Sequence, residues 1–217
     1  MLEILNYPAL FIGRIIALVV ALSIHEFAHA FAAYKLGDTT AQQAGRLTLN
    51  PLAHLDPIGS LMMILVGFGW AKPVPVNPYN LRGNKLRGMA ITAAAGPISN
   101  ILQAFVFALP IRFGLVDMAF PYNPDVLFPS PGELLSLLVW INVLLAVFNM
   151  IPLGPLDGLK VLFGLLPSHL TRRLEPLAQY GSLLLMMLMF LGSGALLSRL
   201  IYPPAQSMFE LLTGSLW

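Results

Sequence analysis

The sequence contains no cysteine, and only 10% of its 217 residues are charged, 12 Lys and Arg against 10 Asp and Glu. The first absence excludes disulfides and thiolate ligands, so any metal has to be held by His, Asp or Glu. The second, combined with 57% hydrophobic residues and a mean hydropathy of +0.77, lies outside the range of a soluble globular domain. A formal net charge of +2 gives no electrostatic basis for a nucleic-acid partner, and the basic residues read instead as topology signals. No internal repeat, low-complexity tract or soluble-domain-sized polar segment interrupts the chain, which reads as a single membrane-embedded domain over 1–217.

What the chain does have is apolar runs. A bilayer core of roughly 30 Å takes about 20 apolar residues per helix, and runs near 9–34, 88–111, 133–152 and 180–201 are long enough. A fifth, IGSLMMILVGFGW over 58–70, is short and suits a re-entrant or interfacial segment. The expectation is an all-α polytopic protein of the cell membrane, with about four to six transmembrane or re-entrant helices. The first run ends in small residues, as a cleaved signal does, but its flank MLEILNYP lacks Lys and Arg and cleavage would split a histidine cluster, so it is expected to be retained.

Lys72, Arg82, Lys85 and Arg87 before the second run, and Lys160, Arg172 and Arg173 after the third, place both loops in the cytoplasm. The acidic, proline-rich segment between these runs then lies outside. Lys35 and Arg46 put the end of the first run inside too, so 58–70 has to dip and return or lie along the interface. Polar Arg46, Thr48 and Asn50 alternate with apolar Leu47 and Leu49, which predicts a small membrane-associated strand near 44–50, and AKPVPVNPYN offers a second extended piece near 72–77. The tail 203–217, PPAQSMFELLTGSLW, reads as an interfacial amphipathic helix anchored by Trp217.

Against this apolar background stands ALSIHEFAHAFAA, which carries His25, Glu26 and His29 within the first run. Ionisable groups at membrane depth are costly and mark function. Residues four apart share a helix face, so both imidazoles can address one ion, while Glu26, about 100° round the helix, reaches a water beside it. This is the HExxH arrangement of zinc hydrolases. A catalytic zinc normally takes three protein ligands and leaves one position open. His54, with Asp56 beside it, and His169 lie in loops; Asp157 of NMIPLGPLDGLK, at the inner end of its run, is the stronger candidate and equally suits the N-cap of a helix starting at Leu159.

HEFAH in one span, AAAGPISN opening a later one and FNMIPLGPLDG closing the next, in that order, resemble the site-2 protease family of intramembrane zinc metalloproteases over about Ile16 to Lys160. The resemblance implies one zinc ion held by His25, His29 and Asp157, with Glu26 as general base and Asn149 near the site. Asn100 of GPISN matches a further motif position and is expected to contact substrate, although small residues there also suit close helix packing. GRLTLN and the 72–77 piece look like the small strands of such proteins. Arg46, Leu47, Thr48, Leu49 and Asn50 would then offer an edge to an unwound substrate. The chain has no room for the PDZ or CBS domain of many such proteins, which leaves room for a separate regulatory protein.

The expected activity is that of a zinc metalloendopeptidase acting on single-span membrane proteins or peptides within the bilayer. A zinc transporter or sensor is the alternative. Transport calls for polar groups along a path, whereas the spans carry, beyond the one cluster, only amides such as Gln103 and Asn142.

Overall fold

Pro8, with φ already suited to a first helical turn, opens α1, which runs Pro8–Lys35 without an interior proline. Along one side of it Ala17, Ala21, His25, His29 and Ala33, each four residues from the last, are all buried. Where lipid surrounds a helix, small side chains let neighbouring backbones approach and gain dispersion contacts, so the alanine stripe that packs α1 also carries the histidines inward. The computed structural model describes residues 6–59, 62, 70–190 and 195–215.

After α1 come two short helical turns, α2 (Thr40–Gln43) and α3 (Pro51–His54). A second long helix, α4 (Lys85–Arg112), starts where the Asn84 side chain accepts a hydrogen bond from the Arg87 amide at 3.1 Å. The third, α5 (Pro131–Asn149), is opened by a capping box: the Glu133 amide donates to Ser130 Oγ and the Ser130 amide donates to Glu133 Oε2. Then follow α6 (Asp157–Leu165), α7 (Ser168–Ala178), α8 (Gly181–Phe190) and α9 (Ala195–Thr213).

Among the described residues, α1, α4 and α5 are long and apolar enough to cross a membrane. The Arg82 amide bonds to the Leu36 carbonyl at 2.9 Å, and the Ala9 amide to the Val126 carbonyl at 3.2 Å. The start of α4 therefore lies beside the end of α1, and the approach to α5 beside the start of α1, so α5 runs with α1 and α4 against them. Leu10, Ala17 and Ala21 of α1 pack on Leu137, Leu138 and Ile141 of α5. Ala104 and Ala108 of α4 meet Val139, Trp140 and Val143 of α5 with Ala205 and Phe209 of α9.

The structure departs from the sequence reading at two segments. Neither 44–50 nor 72–77 is a strand; the described residues contain no sheet, only one antiparallel bridge, Leu55 to Ala71. In the first segment the side chains capture the backbone: Thr48 Oγ accepts from the Asn50 amide and Asn50 Oδ1 from the Leu52 amide, which turns the chain into α3. In the second, Pro73 and Pro75 have no amide to donate and Arg46 binds the carbonyls of Lys72 and Pro73, so no ladder can form. The run 180–201 falls on α8 and α9, with 191–194 outside the described residues. Of the tail, 203–213 is the second half of α9, with Ala205 and Phe209 fully buried. Of the 58–70 run, residues 60, 61 and 63–69 lie outside the described residues, as does Trp217.

Candidate metal centre

His25 and His29 project from α1 toward α4, and two features of α4 receive them. Gly96 lies against both rings: a Cβ there would come within 2.6 Å of His25 Cε1 and 2.5 Å of His29 Cε1, so only glycine leaves space for the pair. Behind the rings, His25 Nδ1 is 2.6 Å from Asn100 Oδ1 and His29 Nδ1 is 2.7 Å from the Thr92 carbonyl oxygen. A carbonyl oxygen only accepts, so each Nδ1 carries the proton and each Nε2 presents a lone pair.

Asp157 arrives from below. The chain leaves α5 through tight turns, with a cis Gly154–Pro155 bond, and re-enters a helix at Asp157 itself. The cap is Leu156, so Asp157 is the first helical residue and not the N-cap that its sequence position suggested. A Cβ at Gly158 would lie 2.5 Å from the Ile151 carbonyl oxygen, so glycine allows α6 to close onto the turn and point the carboxylate at α1.

The result is a set of three facing donor atoms. Asp157 Oδ2 is 3.3 Å from His25 Nε2 and 3.2 Å from His29 Nε2, and the two Nε2 atoms are 3.0 Å apart. All three residues are buried. With both ring protons committed to the opposite nitrogens, two lone pairs and a carboxylate confront one another with no hydrogen between them. A cation resolves that repulsion. Tetrahedral zinc with bonds of about 2.0–2.1 Å sets its ligands about 3.3 Å apart, close to the separations seen, so the donor set fits the ion. Among the described residues this is the group of His, Asp and Glu side chains able to hold a metal.

A cavity of about 610 Å³ opens on this centre, lined by Glu26, Thr92, Trp70, Pro73, Val74, Val76, Phe148, Asn149 and Lys160 among others. Lys160 Nζ is 3.9 Å from Asp157 Oδ1, the carboxylate oxygen turned away from the histidines. Asn149 donates from Nδ2 to the Leu145 carbonyl at 3.0 Å, one turn back on its own helix. Thr92 Oγ1 is buried and makes no hydrogen bond among the described residues.

The wall formed by 70–76 is fixed at both ends. The Lys72 amide donates to the His54 carbonyl at 2.8 Å, and Arg46 binds the carbonyls of Lys72 and Pro73. At the other end Asp38 Oδ2 accepts from the Asn77 amide at 2.7 Å and Oδ1 from Asn80 Nδ2 at 3.0 Å. Burial lowers the pKa of the Arg46 guanidinium, opposed by the negative charge of Glu26. Burial would raise the pKa of the Asp38 carboxyl, but the hydrogen bonds from Thr40, Asn80 and Asn77 outweigh it and hold the group below the ordinary aspartate value.

His25, Glu26, His29, Asp157 and Asn149, scattered in sequence, thus meet at one cavity. Arg46, Leu47, Thr48, Leu49, Asn50 and Asn100, expected to contact substrate, do not line it. Arg46 braces the wall from behind, Asn50 caps α3, and Asn100 touches the far side of the His25 ring. His54 is fully buried elsewhere, with Nε2 2.7 Å from the Thr48 carbonyl, and is not among the clustered donors. Unforeseen from the sequence were Thr92, the wall 70–76 and the place of Gly96 under the two rings. Gly96 had a signal, since a glycine four residues before an asparagine in a helix interior needs a packing reason.

Three membrane-length helices around a buried His, His, Asp donor set define the class: a metal-dependent hydrolase set in the membrane. Residues 113–192 match Peptidase family M50. The chain is 38% identical over 188 residues, covering 85% of it and 83% of the relative, to YwhC of Bacillus subtilis (strain 168), named as a candidate zinc metalloprotease. It is also 31% identical over 192 residues, 85% of this chain and 69% of the relative, to Rip2 of Mycolicibacterium smegmatis, and 27% identical over 187 residues, 85% and 69%, to Rip2 of Mycobacterium tuberculosis (strain H37Rv), both carrying the same kind of name. No solved structure matches the chain. The chain belongs to peptidase family M50, the site-2 proteases, and is a zinc metalloprotease of that family.

Proposed function

We propose that this chain is a multi-pass enzyme of the cell membrane that hydrolyses peptide bonds of single-span membrane proteins or peptides within or beside the bilayer. The observation that carries the reading is the convergence of His25 Nε2, His29 Nε2 and Asp157 Oδ2 at the wall of a cavity that Glu26 also lines, between helices of membrane-spanning length. His25, His29 and Asp157 would hold the zinc, which supplies Lewis acidity: it lowers the pKa of water toward neutrality and polarises a carbonyl. Glu26 takes a proton from the attacking water and returns it to the amine nitrogen as the C–N bond breaks. The second amide hydrogen of Asn149 is free to donate to the substrate carbonyl as negative charge develops there. The extended wall from Pro73 to Val76 holds the opposite side of the substrate segment, because a helical substrate has to open before its carbonyls are accessible to attack.

Glu26→Gln tests this directly. The variant should keep its zinc, since Glu26 is not among the clustered donors, and lose cleavage of a panel of single-span substrates by roughly 100-fold or more. Undiminished cleavage would overturn the assignment of the base. Zinc flux across vesicles carrying the protein, unchanged in this variant, would favour transport instead.

A further inference from the structure

Asn142 lies in the buried middle of α5, does not line the cavity and is none of the metal donors. Its side chain is nonetheless joined to the metal centre by hydrogen bonds between fully buried groups. Asn142 Nδ2 donates to the Leu138 carbonyl at 2.9 Å, Asn100 Nδ2 donates to Asn142 Oδ1 at 2.8 Å, and Asn100 Oδ1 lies 2.6 Å from His25 Nδ1.

The polarity of this series is not arbitrary. An amide has a donor end and an acceptor end, and the two can be exchanged by a half-turn unless a neighbour forbids it. The Leu138 carbonyl can only accept, which turns the nitrogen of Asn142 toward it and leaves Oδ1 facing α4. That oxygen can only accept, which turns the nitrogen of Asn100 toward α5 and leaves its oxygen facing His25. The oxygen in turn requires a proton on Nδ1, so the lone pair of His25 falls on Nε2, the atom that faces His29 and Asp157. Among the described residues the other group holding Asn100 in this sense is the Ala21 carbonyl, at a long 3.4 Å.

We propose that Asn142 is a positioning residue of the metal centre: a backbone carbonyl of α5 sets the tautomer of His25 on α1 through the amides of Asn142 and Asn100, and so presents Nε2 as a ligand. His29 obtains the same result from one backbone carbonyl, that of Thr92. His25 Nδ1 is paired with the Asn100 side chain instead, and through it with a carbonyl one helix away. This rests on the metal-binding role of His25, His29 and Asp157 and not on proteolysis.

The test uses the full chain in detergent with nitrogen-15 histidine, and compares Asn142→Leu with Asn142→Asp. In the zinc-free protein the ring-nitrogen shifts of His25 report its tautomer, and competition with a chelator reports zinc affinity. The unmodified chain should show the Nδ1–H form. Asn142→Leu removes the acceptor, frees Asn100 to turn over, brings in the Nε2–H form and weakens zinc binding by about ten-fold or more, the usual scale for losing an outer partner of a metal histidine. Asn142→Asp, which offers Asn100 an oxygen in either protonation state, should keep the Nδ1–H form and bind zinc nearly as the unmodified chain does. If the Leu variant does not fold, Asn142→Ala takes its place, since it removes the acceptor without adding bulk. A folded Leu or Ala variant with the original tautomer and affinity would show that Asn142 only packs helices, and an Asp variant as impaired as Leu would equally overturn the proposal. A zinc-free, Nδ1–H unmodified chain that takes up no zinc would instead refute the metal site, with the tautomer assignment standing.

Discussion

Gly96 and His29 are in direct apposition: the α-carbon of one lies so close to the ring of the other that a methyl group at Gly96 would strike the imidazole, and that of His25 as well. α4 thus packs directly against the metal centre. Gly96→Ala would favour the helix, by about 1 kcal/mol on propensity alone. It should nevertheless displace both histidines, with zinc content and cleavage falling at least about ten-fold while the circular-dichroism spectrum stays helical. Full zinc occupancy in Gly96→Ala would show that the rings can shift without penalty.

Asp157 closes the donor set from the start of α6. The purified chain should contain about one zinc, and Asp157→Ala should lose most of it. His54→Ala should retain zinc, because the His54 ring is engaged with the Thr48 carbonyl. Elemental analysis of the two variants decides between the donors; the opposite pattern would remove Asp157 from the site.

The position of the cavity wall depends on the ionised Asp38. Its pKa in the folded chain lies below the ordinary aspartate value, so the carboxylate contributes stability above about pH 4, the unfolded value, and that contribution is lost as pH falls through the folded value. Asp38→Asn should therefore unfold at a lower temperature than the unmodified chain at pH 7, and the gap should narrow as the pH drops below about 4. A gap that stayed constant over that range would mean the charge of Asp38 plays no part.

The loop holding Asn123 and the start of α4 lie at opposite ends of the three long helices. With no native cysteine to interfere, cysteines at Lys85 and Asn123 should be labelled by an impermeant thiol reagent from opposite sides of the membrane, Lys85 from the cytoplasm as the basic loops indicate. Labelling of both from one side would refute a three-helix crossing.

The sequence by itself determined that the runs at 9–34, 88–111 and 133–152 are helices of membrane length and that His25 and His29 share a helix face. Both follow from local physics: an apolar run in hydrocarbon must satisfy its backbone internally, and two histidines four apart on a helix share a face whatever surrounds them. Even Asp157 was within reach, since it follows an apolar run whose end lies at the same membrane face as the histidines. The strands read at 44–50 and 72–77 failed because an alternation of polar and apolar residues is equally a property of a turn whose Thr and Asn side chains bind the backbone. Nothing local reveals that Arg46 binds the carbonyls of a segment 26 residues away. Only the tertiary structure decided that Gly96 is the floor under the two rings, that 70–76 rather than 46–50 walls the cavity, and that Asn100 with Asn142 stands behind His25. Each of these is a contact between helices distant in sequence, fixed by how α1, α4 and α5 pack, and no spacing along one helix records which residue of another it will meet.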